Sequence, residues 1–222
     1  MKKIALITLS LLVFAGFSCK DAKKEKEQTE EAQVDQYSLV ADSTKVSFTA
    51  YKTTEKKPVG GKFTPEQKAL YEIVLEAQLQ AIAEVQPGKP YNDFHDIAVC
   101  VIVQGLLDLG LLKGDLAEII KEEKYKPFYM HRTGHWLGLD VHDVGTYKHN
   151  PETWRNLQPG HIVTVEPGIY ISPYIKPAEG QPEIPDNWKG IGIRIEDDLL
   201  VTKDGHDILT SDVPKSVAQM ES

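Results

Sequence analysis

The chain has 222 residues, 41% hydrophobic and 26% charged, which is enough material for one ordinary domain with a buried core. Its formal net charge of -8 comes with basic residues scattered among acids, which excludes a phosphate-gripping surface and with it a nucleic-acid partner. Only two cysteines are present, Cys19 and Cys100, so a disulfide framework is excluded, and Cys100 in the apolar run Ile97 to Val103 reads as a small packed hydrophobe.

In chain order, Lys2 and Lys3 precede an apolar run from Ile4 to Phe17 and then Cys19, so residues 1–19 read as an export signal ending in a lipoprotein-type box. The run is shorter than the ~20 apolar residues of a membrane span. Lipid on Cys19 would anchor the chain in the cell envelope. Residues 20–36, rich in Lys, Glu, Asp and Gln, then form a solvated tether. In residues 37–63 the pattern becomes alternation, with Val46, Phe48 and Ala50 on one face and Lys45, Ser47 and Thr49 on the other, which predicts one or two strands.

At Thr64 the grammar turns helical. Thr64 is a capping residue, Pro65 suits the first position, and Gln67 completes a capping box. Leu70, Ile73, Val74, Ala77, Ala81 and Ile82 keep helical spacing until Pro87-Gly88 stops the element. A second helix is predicted from Asn92 or Asp93 to Leu109, with Gly110 in the left-handed position that ends many helices. Beyond Tyr125 the texture is β: His161 to Ile171 and Ile191 to Thr202 read as strands, and Asp204-Gly205 as a turn. Helices first and strands afterwards predict an α+β class, with the domain at residues 64–212 and a tail at residues 213–222.

Polar residues interrupt these apolar strands in three places. They are His131-Arg-Thr-Gly-His135-Trp-Leu-Gly-Leu-Asp-Val-His142-Asp143, Val165-Glu166-Pro-Gly, and Ile193-Arg194-Ile195-Glu196-Asp197. A buried carboxylate without a partner is costly, and two of them beside imidazoles point to a cation. His135, Glu166 and Glu196 offer one imidazole and two carboxylates, a donor set suited to Mn, Fe, Co or Zn. Each has a duller reading: a hydrogen-bonded strand histidine, a turn glutamate, a charged strand end. His131 and His135 are spaced like a helical zinc pair, but Gly134 between them and the lack of a neighbouring Glu argue against that motif.

Taken together and in order, His135-Trp-Leu-Gly-Leu-Asp-Val-His-Asp-Val-Gly145, Thr164-Val-Glu-Pro-Gly-Ile-Tyr-Ile171 and Gly190-Ile-Gly-Ile-Arg-Ile-Glu-Asp-Asp198 resemble the aminopeptidase P branch of the pita-bread metallopeptidases, from about Gly61 to Leu209. The resemblance implies a partial pita-bread fold, helices packed on a curved antiparallel sheet. It implies hydrolysis of an amino-terminal residue from peptides with proline in the second position, with two metal ions, usually manganese, in a cytoplasmic parent family. It assigns His135, Glu166 and Glu196 as metal ligands and places His131, His142 and Arg194 in the substrate site.

The positions at which that family supplies two further aspartates from upstream strands fall on Lys52 and Ala41 here, and the first histidine of the chain is His95. Neither Lys52 nor Ala41 can bridge cations. At most one ion is therefore expected. The stretch Asp42 to Phe63 instead resembles the opening strands of an exported polyisoprenoid-binding, lipocalin-like barrel family. That resemblance implies the alternatives of a lipid-binding lipoprotein, or a chimera of the two families with neither activity.

Overall fold

The computed structural model describes residues 62–221. The export signal, Cys19, the tether, the strand segment at 37–61, Ala41 and Lys52 lie outside the described residues.

The first helix, α1 (Pro65–Glu84), begins as its sequence dictates: the Thr64 hydroxyl accepts from the Gln67 N–H, and the Gln67 side chain accepts from the Thr64 N–H. Its apolar face, including Leu70, Val74, Ala77 and Ala81, is fully buried. Helix α2 (Asp93–Asp108) packs along it and buries Phe94, Ala98, Ile102 and Leu106. Gly110, at φ 70°, turns the chain out of α2 in the left-handed region that side-chain-bearing residues resist. A short helix α3 (Leu116–Lys121), capped by Asp115, follows without a strong sequence signal. At six residues it is too brief to show periodicity.

The strands follow the helices. A hairpin of β1 (Lys148–Asn150) and β2 (Thr153–Trp154) turns on the Asn150 carboxamide, which accepts from the N–H groups of Glu152 and Thr153. Then come β3 (Ile162–Val165), β4 (Gly168–Ile171), β5 (Ile191–Arg194), β6 (Asp197–Val201) and β7 (His206–Ile208), and a last turn of helix α4 (Val217–Met220) in the segment read as a tail. Strands β3, β6 and β7 form one antiparallel sheet, and β4 and β5 form another.

Each of the two long strands read from the sequence is therefore a pair of short ones. The first breaks at Glu166-Pro167 and the second at Ile195-Glu196, and the breaks face each other: Val165 pairs with Asp197, and Gly168 pairs with Arg194. Pro167 has no N–H to give to a ladder, so pairing stops there. Only the Ile195 N–H crosses the gap, to the Pro167 carbonyl.

Helices and sheets share one core, a single buried cluster that holds Val163, Val165, Ile169, Leu199 and Val201 together with the inner face of α1. The expected α+β class, helices laid on antiparallel strands, is what forms. The two ends of the described segment meet as well. The Phe63 N–H donates to Glu221 Oε1 at 3.0 Å, and the Tyr71 hydroxyl donates to the Lys215 carbonyl at 2.7 Å. No helix among the described residues is long and apolar enough to cross a membrane.

Candidate metal centre

His135 lies on an extended run that crosses the end of β3. Its N–H bonds to the Thr164 hydroxyl, and the Thr164 N–H returns to the His135 carbonyl. Gly134 allows this approach, because a Cβ there would stand 2.0 Å from the Thr164 carbonyl oxygen. The imidazole is oriented by its Nδ1, 2.9 Å from the Trp136 carbonyl. A nitrogen facing a carbonyl carries the proton, which leaves the Nε2 lone pair pointing 3.5 Å from Glu166 Oε1.

Glu166 and Glu196 enter from the two strand breaks. Glu166 is 8% exposed; Thr164 Oγ1 donates to its Oε1, and Arg194 Nη1 donates to its Oε2 at 3.0 Å. Glu196 is more open. Partial burial raises its carboxyl pKa above the ordinary value, and the negative charges of Glu166 and Asp198 push the same way. One ligand atom from each of His135, Glu166 and Glu196 lies within 4.8 Å of the others.

The remaining residues singled out in the sequence gather around this triad. The His142 ring stands edge-on to His135 with centroids 4.4 Å apart. His131 Nε2 lies 2.9 Å from the Tyr170 hydroxyl and 3.3 Å from Arg194 Nη2, and Arg194 Nε donates to the same hydroxyl at 2.6 Å. With its Nδ1 donating to the Arg132 carbonyl, His131 presents Nε2 as an acceptor, and burial lowers its pKa. The carboxylate that Arg194 grips is Glu166, from the facing strand break.

Sequence reasoning passed over Tyr170 and the buried trio behind it. Tyr170 sits between the buried Ile169 and Ile171 of β4, and only the register Gly168 to Arg194 shows that it shares a face with Arg194. His95, 8% exposed, is 2.8 Å from Thr133 Oγ1, which is 2.6 Å from the Tyr129 hydroxyl. Burial, with the nearby Arg132 charge second, lowers the His95 pKa to about 3. This neutral trio seats the run carrying His131 and His135 against α2.

Two carboxylates and an imidazole lone pair, turned toward one point with a single cationic side chain among them, form a donor set for a divalent ion. The comparison with known families agrees: residues 48–203 match the model of metallopeptidase family M24. The chain belongs to that family. A Xaa-Pro aminopeptidase of Haemophilus influenzae is 47% identical over 169 residues, covering 76% of this chain and 37% of the relative. The Escherichia coli Xaa-Pro aminopeptidase is 43% identical over 76% of this chain and 36% of its own length. Among solved structures, Pseudomonas aeruginosa aminopeptidase PepP superposes with a TM-score of 0.68 at 52% identity, over 74% of this chain and 36% of that one. The likeness extends the α+β resemblance to the pita-bread fold. The chain thus spans just over a third of the length of these relatives. The family match begins at residue 48, ahead of the Gly61 expected from the motifs.

Proposed function

We propose that the chain carries the carboxy-terminal half of a Xaa-Pro aminopeptidase site, in which His135 Nε2, Glu166 and Glu196 hold one divalent ion, with manganese as the expected metal. The convergence of the three ligand atoms within 4.8 Å carries this reading. The fixed tautomer of His135 and the crowding of two carboxylates, which costs free energy until a cation relieves it, support it.

A divalent ion in such a site supplies a Lewis acid and acidifies a water. The chain's own residues do the rest. Arg194 and Thr164 hold Glu166 in one orientation, so a ligand carboxylate needs no reorganisation. His142, exposed beside His135, is free to hydrogen-bond a scissile carbonyl. His131, Tyr170 and Arg194 form one connected polar wall against which the proline end of a peptide can be oriented.

A second ion lacks ligands. The family-matched stretch before α1, residues 48–64, contains a single carboxylate, Glu55, and the family's two aspartate positions fall on Ala41 and Lys52. The chain on its own should therefore bind manganese but turn over Xaa-Pro peptides at a trace rate, lacking a term worth several powers of ten. Calorimetry should give about one manganese per chain, abolished by Glu196→Ala, and a proline-specific release assay should stay near background. Robust release that Glu196→Ala eliminates would overturn the half-site reading. The lipid-anchor reading rests on residues 1–19 alone, and an unmodified Cys19 in the mass spectrum of the exported protein would refute it.

A further inference from the structure

Beside the run that carries His131 and His135 lies a pocket of about 520 Å³, lined by Tyr91, Arg132, Gly134, Tyr147, Lys148 and Trp154 among others. The walls are aromatic. Tyr91 packs against Tyr147 with ring centroids 4.9 Å apart and stacks on Trp154 at 6.4 Å.

Two features of this pocket are not explained by packing. The first is charge. The Arg132 guanidinium and the Lys148 ammonium both lie over the Trp154 ring, 4.8 and 4.2 Å from its centroid. Their hydrogen bonds go to neutral oxygens, those of Asn92 and Pro151, and neither forms an ion pair among the described residues. Both cations line the same pocket, and in a chain of net charge -8, where carboxylates are plentiful, none stands among its described lining residues. The second is the Tyr91 hydroxyl. Tyr91 is 2% exposed and its Oη has no hydrogen-bond partner among the described residues. Burial holds the phenol protonated well above its usual range, so it stands as an unused donor.

We infer that this pocket is a recognition site for a carboxylate on a flat or branched apolar body, the carboxylate held by Arg132 and Lys148 and the body against Tyr91, Tyr147 and Trp154. An anion compensates the two uncompensated cations, a guanidinium matches a carboxylate in shape, and the aromatic walls take an apolar group that inorganic anions lack. A neutral aromatic would leave both charges uncompensated. The carboxylate can come from a free small acid or from the carboxy terminus of a peptide. The inference stands on the pocket alone and holds whether or not the metal reading does.

The test is a titration of the full chain with benzoate, followed by tryptophan fluorescence, since Trp154 is one of three tryptophans. Benzoate should produce a saturable change and benzamide none. Lys148→Met and Arg132→Met should each weaken benzoate by about tenfold, the worth of one charge-assisted hydrogen bond, and Tyr91→Phe by less. Lys148 is exposed on the hairpin, so its variant keeps the test decisive even if Arg132→Met fails to fold. Acetyl-prolyl-phenylalanine and its amide then separate the sources. Competition with benzoate by the acid but not the amide assigns the pocket to a peptide terminus, and binding of benzoate alone assigns it to a free acid. Benzamide binding as tightly as benzoate, no saturable change, or unaltered affinity in both methionine variants would each overturn the inference.

Discussion

Glu196 and Asp197 are adjacent in sequence and differ in how their charge is met. Asp197, at the first position of β6, is 1% exposed and fully answered by the protein: Lys215 Nζ lies 2.9 Å from its Oδ1, Thr210 donates to that oxygen at 2.6 Å, and Gln78 donates to Oδ2 at 2.8 Å. Glu196, in the break just before it, has no donor of this kind among the described residues, and the negative charge of Glu166 bears on it. A saturated buried acid fixes the backbone, whereas an unsaturated one beside another acid is waiting for a cation. The one-residue offset sends the two side chains to opposite faces, so the lock on Asp197 holds still the turn that presents Glu196.

The largest expected effect tests the saturated side. Lys215→Met leaves the Asp197 carboxylate buried and unpaired, which should cost about 3–5 kcal/mol of stability in urea unfolding. Manganese affinity should change far less. A negligible loss would mean that Asp197 is not the anchor described. On the other side of the comparison, Glu166→Ala should weaken manganese binding by at least about 100-fold in calorimetry, because it removes a proposed ligand rather than a supporting partner. It should leave the urea midpoint nearly in place or raise it, since a crowded acid is gone. A large fall in stability with intact metal binding would reverse the two roles.

A smaller effect distinguishes a group kept neutral by burial from both acids. The His95 pKa, lowered by burial to about 3 from an ordinary 6.5, means that the unfolded chain takes up a proton first as the pH falls. The stability contributed is present above pH 6.5 and is lost progressively toward pH 3. Between pH 7 and 5 this amounts to about 2 kcal/mol, measurable as a shift of the urea midpoint that His95→Gln removes.

What could be read in advance follows the range of the interactions involved. The capping box at Thr64, the helical spacing through Ile82 and the terminating Gly110 are local, and α1 and α2 formed within a residue or two of the expected bounds. The three polar interruptions were legible because buried charge among apolar residues is conspicuous anywhere. Pro167 could have revealed that the strand ends at Glu166, but nothing within Ile191 to Thr202 marks a break. That break exists because β5 loses its partner where Pro167 interrupts β4. Tyr170 and Lys215 depend on register and on a contact spanning many residues, which a single sequence does not display. The aromatic pocket escaped for the same reason: Tyr91, Arg132 and Trp154 come from three separate stretches.

The contact between Phe63 and Glu221 has a consequence for how this segment can be rewired. Because Phe63 and Glu221 are in contact, a few added residues could join residue 221 to residue 62 in a chain cut to 62–221, and the opening could be moved elsewhere without altering the path of any described helix or strand. The loop at Leu139 to Val144, with Leu139 and Val144 almost wholly exposed, is a natural place for new ends. Such a circular permutant would sever the chain between His135 and the sheet that carries Glu166 and Glu196. If it still folds and still gathers the three ligands, the site is held by packing of the finished domain rather than by the order in which its parts are strung.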